Sequence, residues 1–376
     1  MQKINMVDLR GQYEKIKHEI DSSIQEVIDS TAFIKGFAVG QFQESLEKYL
    51  DVRHVIPCAN GTDALQVSMM ALGLKPGDEV ITASFTFIAT AEVIALLGLT
   101  PVFADVDPGT FNIVPEDIER RITKKTRAII PVHLFGQSAD MDKIMQIAKK
   151  YDLYVIEDNC QAIGADCFFK DDTSKKAGTI GTIGTTSFFP SKNLGCFGDG
   201  GALFTNDDEL AKKVRSIVNH GMTVRYYHDD IGVNSRLDTI QAAVLKVKLA
   251  YLDEYIAARQ KAAAFYDSAF GSEPKLTIPA RAALSTHVFH QYTLKLNGVD
   301  RAALIEYLAE KGIPAMIYYP VPIHLQKAYE QYGFKAGDLP VTEDLCSRVI
   351  SLPMHTELDE EQLKYITTSV LEFINQ

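Results

Sequence analysis

At 376 residues, 46% of them hydrophobic, the chain can bury the core of one large α/β unit plus a smaller one. Its 38 basic and 49 acidic residues give a formal charge of −11 with both signs scattered, which argues against a nucleic-acid or anionic-membrane surface. Five cysteines without a C-x-x-C pair read as reduced cytosolic thiols, and no apolar run reaches the ~18 residues of a membrane span, so a soluble, unprocessed, cytoplasmic protein is expected.

Residues 11–50 read as helical, because Tyr13, Ile16, Ile20, Ile24 and Ile28 recur at helical spacing and Gly36 and Gly40 interrupt the pattern before 42–46 resumes it. From 54 to 205, short apolar runs at 54–58, 79–82, 101–105, 127–132 and 154–158 alternate with helical segments such as the amphipathic 141–150. That order predicts a mainly parallel sheet, whose ligands gather beyond the carboxyl ends of its strands. A long helix from Arg236, with Leu237, Ile240, Val244, Val247 and Tyr251 on one face, leads into a second series of elements. These are a strand at 290–296, a helix at 301–311 stopped by Gly312, an extended 313–319 and a closing helix at 360–374. The expected division is 1–250 for an N-terminal arm and large α/β domain, and 251–376 for the connecting helix and a small α+β domain.

The stretch 185–202, TTSFFPSKNLGCFGDGGA, holds Lys192 between an apolar run and a glycine-rich turn. Pro190 ends any regular ladder, and Gly195, Gly198, Gly200 and Gly201 let backbone approach a bound group closely. Asp158 ends the run 154–158 upstream. A lysine and an acid at neighbouring strand ends suggest a pyridoxal phosphate site, which needs an amine for the aldehyde, an acid at the pyridine nitrogen, a phosphate cradle and a surface against the ring. Lys192 supplies the amine and afterwards a base. Asp158 keeps the ring nitrogen protonated, although alone a strand-end Asp is more often a cap or turn former. Gln161 can meet the ring's phenolic oxygen or be a polar strand exit. Gly61 and Thr62 open a helix whose free N–H groups and dipole suit a phosphate, while Thr62 is also an ordinary capping type. Ser187 can donate from the opposite side, and Phe85 or Phe87 can lie on the ring or simply fill core. Gly178, Gly181 and Gly184 precede a strand instead of joining strand to helix, so the dinucleotide fingerprint fails. The histidines lack H-E-x-x-H spacing, and no metal site is expected.

Together these residues resemble the DegT/DnrJ/StrS family of pyridoxal-phosphate sugar aminotransferases over essentially the whole chain. The matching motifs are Gly61-Thr62-Asp63-Ala64-Leu65, Gly77-Asp78-Glu79-Val80, Ile129-Ile130-Pro131-Val132-His133, Glu157-Asp158, Ser187-Phe188-Phe189-Pro190-Ser191-Lys192, Gly200-Gly201 and Asn234-Ser235-Arg236-Leu237-Asp238. Within the family the chain looks most like enzymes that aminate C3 of a nucleotide-linked sugar, including a UDP-linked 3-keto-N-acetylhexosaminuronate. The resemblance implies an aspartate-aminotransferase-like fold of type I and a homodimer with shared active sites. It also implies L-glutamate and a nucleotide-linked ketosugar as substrates, and a role in cell-surface polysaccharide or glycan precursor synthesis. The implied cofactor is pyridoxal 5'-phosphate, with pyridoxamine phosphate as intermediate. By the same resemblance Lys192 joins the cofactor aldehyde, Asp158 pairs with the ring nitrogen, Phe87 stacks, Gln161 meets the ring oxygen, and Gly61, Thr62, Asp63 and Ser187 surround the phosphate. Asn234 reaches the phosphate from the partner subunit, Arg236 meets the sugar nucleotide, and Tyr318, Tyr319 and His324 contribute to the substrate pocket. As bare residues, Arg236 reads as a helix-start salt bridge and Tyr318-Tyr319 as packing. A sugar dehydratase and a non-catalytic regulatory protein that senses a nucleotide sugar are the alternatives; retention of Lys192, which such dehydratases replace with histidine, speaks against the first.

Overall fold

The structure is a computed structural model and describes residues 3–376. The arm divides near the predicted glycines into α1 (Leu9–Ser30) and α2 (Phe37–Leu50), with Gly36 at the head of α2. Strands and helices then alternate as β1 (His54–Cys58), α3 (Gly61–Ala71), β2 (Glu79–Ala83), α4 (Ala89–Leu96), β3 (Thr100–Ala104), α5 (Pro115–Arg121), β4 (Thr126–Ile130), α6 (Met141–Tyr151) and β5 (Tyr154–Asp158). A small hairpin, β6 (Asp166–Phe168) with β7 (Ser174–Lys176), precedes β8 (Ile183–Ser187), β9 (Gly201–Thr205) and α7 (Asp208–Ile217). A second hairpin, β10 (Met222–Val224) with β11 (Tyr227–His228), leads to α8 (Thr239–Leu249) and α9 (Leu252–Phe270). The chain ends with β12 (Leu276–Thr277), β13 (Tyr292–Leu296), α10 (Arg301–Glu310), α11 (Pro340–Arg348), β14 (Val349–Leu352) and α12 (Glu360–Ile374).

Seven strands form the central sheet in the order β1-β9-β8-β5-β4-β2-β3. All pairs are parallel except those of β9, which runs against both β1 and β8. Strand alternation sorts neighbouring residues to opposite faces: Val55, Ile81, Ile129, Val155 and Phe204 join one buried cluster, and Ile56, Val80, Ile130, Ile156 and Leu203 the other. Both faces are therefore covered, as a mainly parallel sheet requires. A three-stranded antiparallel sheet, β12-β13-β14, packs with α9, α10 and α12 around a separate apolar cluster.

Four details depart from the expectations. β9 and β14 are five- and four-residue apolar strands whose shortness hides them among buried helix segments. The long helix from Arg236 is two helices; it starts at Thr239, because Asp238 is extended, and it breaks at Tyr251. Segment 313–319 forms no strand, and only Met316 bridges β14, at Ser351. Ile4 packs in the cluster of the small sheet, so the first described residues join the chain's last third.

Candidate active site

The topology sets four chain segments at the carboxyl edge of the sheet. Asp158, ending β5, lies in register with Thr185 of β8, and Ser187, ending β8, faces Gly201 of β9. Gly201 in turn faces Cys58, so the start of α3 meets the same edge. Gly201 must be a glycine here, because a Cβ would overlap the Asn60 carbonyl carbon. The loop joining β8 and β9 carries Lys192, and together these segments enclose a cavity of about 390 Å³.

Lys192 lines that cavity, and among the described residues its Nζ forms no hydrogen bond or ion pair. Burial lowers its pKa from the ordinary lysine value, with Cys160 and Asp158 opposing, so more of it is the free amine than in an exposed lysine. Asp158 is 5% exposed; its Oδ2 accepts from Thr90 Oγ1 on α4 at 2.8 Å and its Oδ1 from the Cys160 N–H at 3.2 Å. The Cys160 thiol, enclosed between these groups, is held protonated by burial.

At the head of α3 the cap is Asn60, whose Oδ1 accepts from the Asp63 N–H at 2.7 Å. Thr62 is thus released from the capping role and lines the cavity, and the N–H groups of Gly61 and Thr62 have no acceptor among the described residues. A Cβ at Gly61 would stand 2.8 Å from Ser187 Cβ and 2.9 Å from Cys160 Sγ, so only glycine permits this approach. Ser187 Oγ accepts from the Phe189 N–H at 3.2 Å, leaving its own proton to donate into the cavity. Thr86 Oγ1, also on the lining, is buried without a partner.

Of the two phenylalanines, Phe87 is 55% exposed and borders the cavity, whereas Phe85 is buried against Phe111, Phe135 and Tyr319. Gln161 Oε1 accepts from the Phe135 N–H at 2.8 Å, and its Nε2 donates to Tyr319 OH at 3.2 Å, which leaves one amide proton for a ligand. Tyr318 and Tyr319 border the same space. The glycine triplet answers to close backbone: Gly178 has φ +89°, a Cβ at Gly181 would stand 2.7 Å from the Val155 carbonyl oxygen, and one at Gly184 would overlap the Gly178 carbonyl. Glu157 accepts from the N–H groups of Gly178 (2.8 Å), Ile180 (2.6 Å) and Gly181 (2.5 Å), and from His133 Nε2 at 2.8 Å. Because Ala139 N–H donates to His133 Nδ1 at 3.2 Å, the imidazole proton resides on Nε2, and this buried network braces the approach to β8.

Four expected residues stay outside the cavity. Asp63 does not border it, and its N–H is already bonded to Asn60; the free donors precede it. His324 is 1% exposed and lies off this lining, held between Ser84 Oγ (2.8 Å) and Glu343 Oε1 (3.2 Å). Asn234 is exposed and bridges Asn219, and Arg236 borders a second cavity of about 380 Å³ with Lys35, Asn219 and Arg225. Conversely, Thr86, Thr90, His290 and Gln291 act at or beside the main cavity without any local sequence signal. His290 stays neutral, its pKa pushed well below the ordinary value by burial and then by Lys192 and Arg259.

These groups fit pyridoxal phosphate: unpartnered donors at the head of α3 suit the phosphate, Phe87 a flat ring, Asp158 the ring nitrogen and Lys192 the aldehyde. The model of the DegT/DnrJ/EryC1/StrS aminotransferase family matches residues 14–371. The chain belongs to this family. It is 47% identical over 374 residues to a pleiotropic regulatory protein of Geobacillus stearothermophilus, covering 98% of each chain. To the UDP-2-acetamido-2-deoxy-3-oxo-D-glucuronate aminotransferase of Pseudomonas aeruginosa it is 45% identical over 367 residues, covering 98% of this chain and 99% of the relative. The crystal structure of a family aminotransferase from Brucella abortus superposes with a TM-score of 0.93 at 42% identity, covering 99% of this chain and all of that one. With the family, the sheet and the small unit read as the expected type I fold.

Proposed function

We propose that this aminotransferase moves the amino group of L-glutamate to C3 of a nucleotide-linked ketosugar, a step toward a cell-surface glycan precursor. The observation that carries the reading is the unpartnered Lys192 amine in one cavity with Asp158 and the free donors of α3. Bound pyridoxal phosphate supplies an aldehyde that takes up the amine and a ring that accepts electrons. Lys192 would move a proton at the substrate carbon, and its burial favours the free-base form needed for that step. Asp158, fixed by Thr90 and the Cys160 N–H, stands to hold a proton on the ring nitrogen. Gly61, Thr62 and Ser187 orient the phosphate, and Phe87 and Tyr319 enclose the ring and exclude water.

The acceptor is inferred from relatives whose names specify UDP-linked 3-oxo sugars and from the cations of the second cavity. Lys35, Arg225 and Arg236 border that cavity with no carboxylate, which suits a nucleotide diphosphate. Beside it, Val224, Tyr226, Tyr227 and Ile231 are exposed, as are Phe33, Ile34 and Phe37, which adjoin through the Ile34–Asp238 bridge. A second copy of the chain covering this face would bury those side chains and complete each site with Asn234 and Arg236 from its partner. No helix among the described residues is long and apolar enough to cross a membrane.

The regulatory name of the Geobacillus relative keeps a sensing role as the second reading. Purified protein should be yellow; glutamate should remove the visible band, and a UDP-linked 3-ketosugar should restore it. A band that ignores glutamate would leave only sensing.

A further inference from the structure

Lys248, on α8, has no part in the chemistry above. It is 2% exposed, and its Nζ donates to the Gly195 carbonyl at 2.6 Å. Among the described residues it meets no carboxylate, and the Phe197 ring centroid lies 5.9 Å away. A buried ammonium without a counter-ion is unfavourable, so its one bond needs a reason. Gly195 is the exit of the turn that carries Lys192. The Lys192 N–H bonds the Phe189 carbonyl and the Cys196 N–H the Phe188 carbonyl, both at 2.8 Å, and Asn193 Nδ2 bonds the Val288 carbonyl at 2.9 Å. A Cβ at Gly195 would overlap the Pro190 carbonyl, so the turn closes on itself without room to spare. Among the described residues no backbone donor reaches the Gly195 carbonyl.

We propose that Lys248 is a positioning residue of the active site, which anchors the exit of the Lys192 turn to α8 through Gly195 and so holds the reacting amine against the cavity. The titratable groups facing it are Cys196 on the turn and Arg259 on α9, while α1 brings Tyr13 against Phe197 at 5.8 Å between centroids. Burial, with Arg259 adding and Cys196 opposing, lowers Lys248 to about 8. The anchor therefore weakens above that pH, because a neutral amine is the poorer donor.

The proposal rests on Lys192 as the reacting amine, and its main readout, amide exchange in the full-length protein, needs no turnover. Lys248→Met should speed exchange in the 188–196 turn at least ~10-fold while β5 stays within about twofold. The same variant should slow the glutamate half-reaction about tenfold, with the KM for glutamate within about threefold. Lys248→Arg, which keeps a donor, should restore most of both. Unchanged turn exchange, an unchanged half-reaction, or equal loosening of β5 overturns the proposal. Should Lys248→Met not fold, wild-type exchange decides: corrected for intrinsic base catalysis, turn protection should fall between about pH 7 and about pH 9.5 while β5 holds, and a flat turn profile refutes the anchor. A wild-type protein whose visible band ignores glutamate would sink the functional reading while leaving the exchange result standing.

Discussion

The cavity around Lys192 and the one around Arg236 differ in what they lack. The main one gathers its own amine, acid and phosphate donors from strand ends of one sheet, and its Asp158 and Gln161 are already held by neighbouring groups. The second presents Lys35, Arg225 and Arg236 without acids, beside Tyr226 and Ile231, which are 75% and 87% exposed. On the proposed function, the first does the chemistry and the second is the face that a second copy covers. Cations that meet no carboxylate, beside uncovered aromatics, are the features that the proposed sugar nucleotide and second copy would cover together.

The contrast breaks most sharply at Lys192. Lys192→Ala should slow the glutamate half-reaction at least ~10⁴-fold, since amine and base are lost together, as followed by the visible band in single-turnover mixing. Asp158→Asn should cost ~10²–10³-fold in the same assay, because the electrostatic partner of the ring is removed while the hydrogen-bonding shape is kept. Arg236→Ala should leave that half-reaction intact and raise the KM for the sugar nucleotide ~10–100-fold, matching the ~1.5–3 kcal/mol of a charge-assisted bond. Mixing the Lys192→Ala and Arg236→Ala chains after dissociation should return about a quarter of wild-type sites, because half of the random dimers carry one intact site each. No recovery would place Arg236 in its own subunit's site and remove the shared-site reading.

The same contrast explains what the sequence made legible. The strand end at Asp158 and the proline–glycine turn around Lys192 are local patterns that can be read from neighbouring residues, and the sheet sets both on one cavity. Phe85 and Phe87 sit two apart in an irregular segment, and nothing local tells which one faces the cavity. Thr62 and Asn60 are both capping types; only the structure shows that Asn60 takes the cap and frees Thr62. Thr90 and His290 reach the site from α4 and from the approach to β13, and such long-range convergence leaves no period or spacing to read. His324 looked like a pocket residue within its motif, yet Ser84 and Glu343 occupy both ring nitrogens.

The smallest expected effect tests whether the Lys192 turn belongs with the pre-built cavity. Lys248→Met removes a bond to Gly195, worth ~1.5–3 kcal/mol for a charged donor, and also the burial cost of a group lowered from 10.5 to about 8, which is on the order of 3 kcal/mol. The two nearly cancel, so at pH 7 the melting temperature should move by only a few degrees while turnover falls. The sign with pH is definite. Between pH 8 and 10.5 the unfolded chain binds the Lys248 proton and the folded chain does not, so this group's contribution to stability rises with pH across that window. Wild type should therefore gain stability on the variant from pH 8 to 10, by melting in matched buffers, even as the turn itself loosens. A difference that stays constant, or runs the other way, would show that Lys248 is not a buried, proton-losing amine and that the turn is held by its backbone alone.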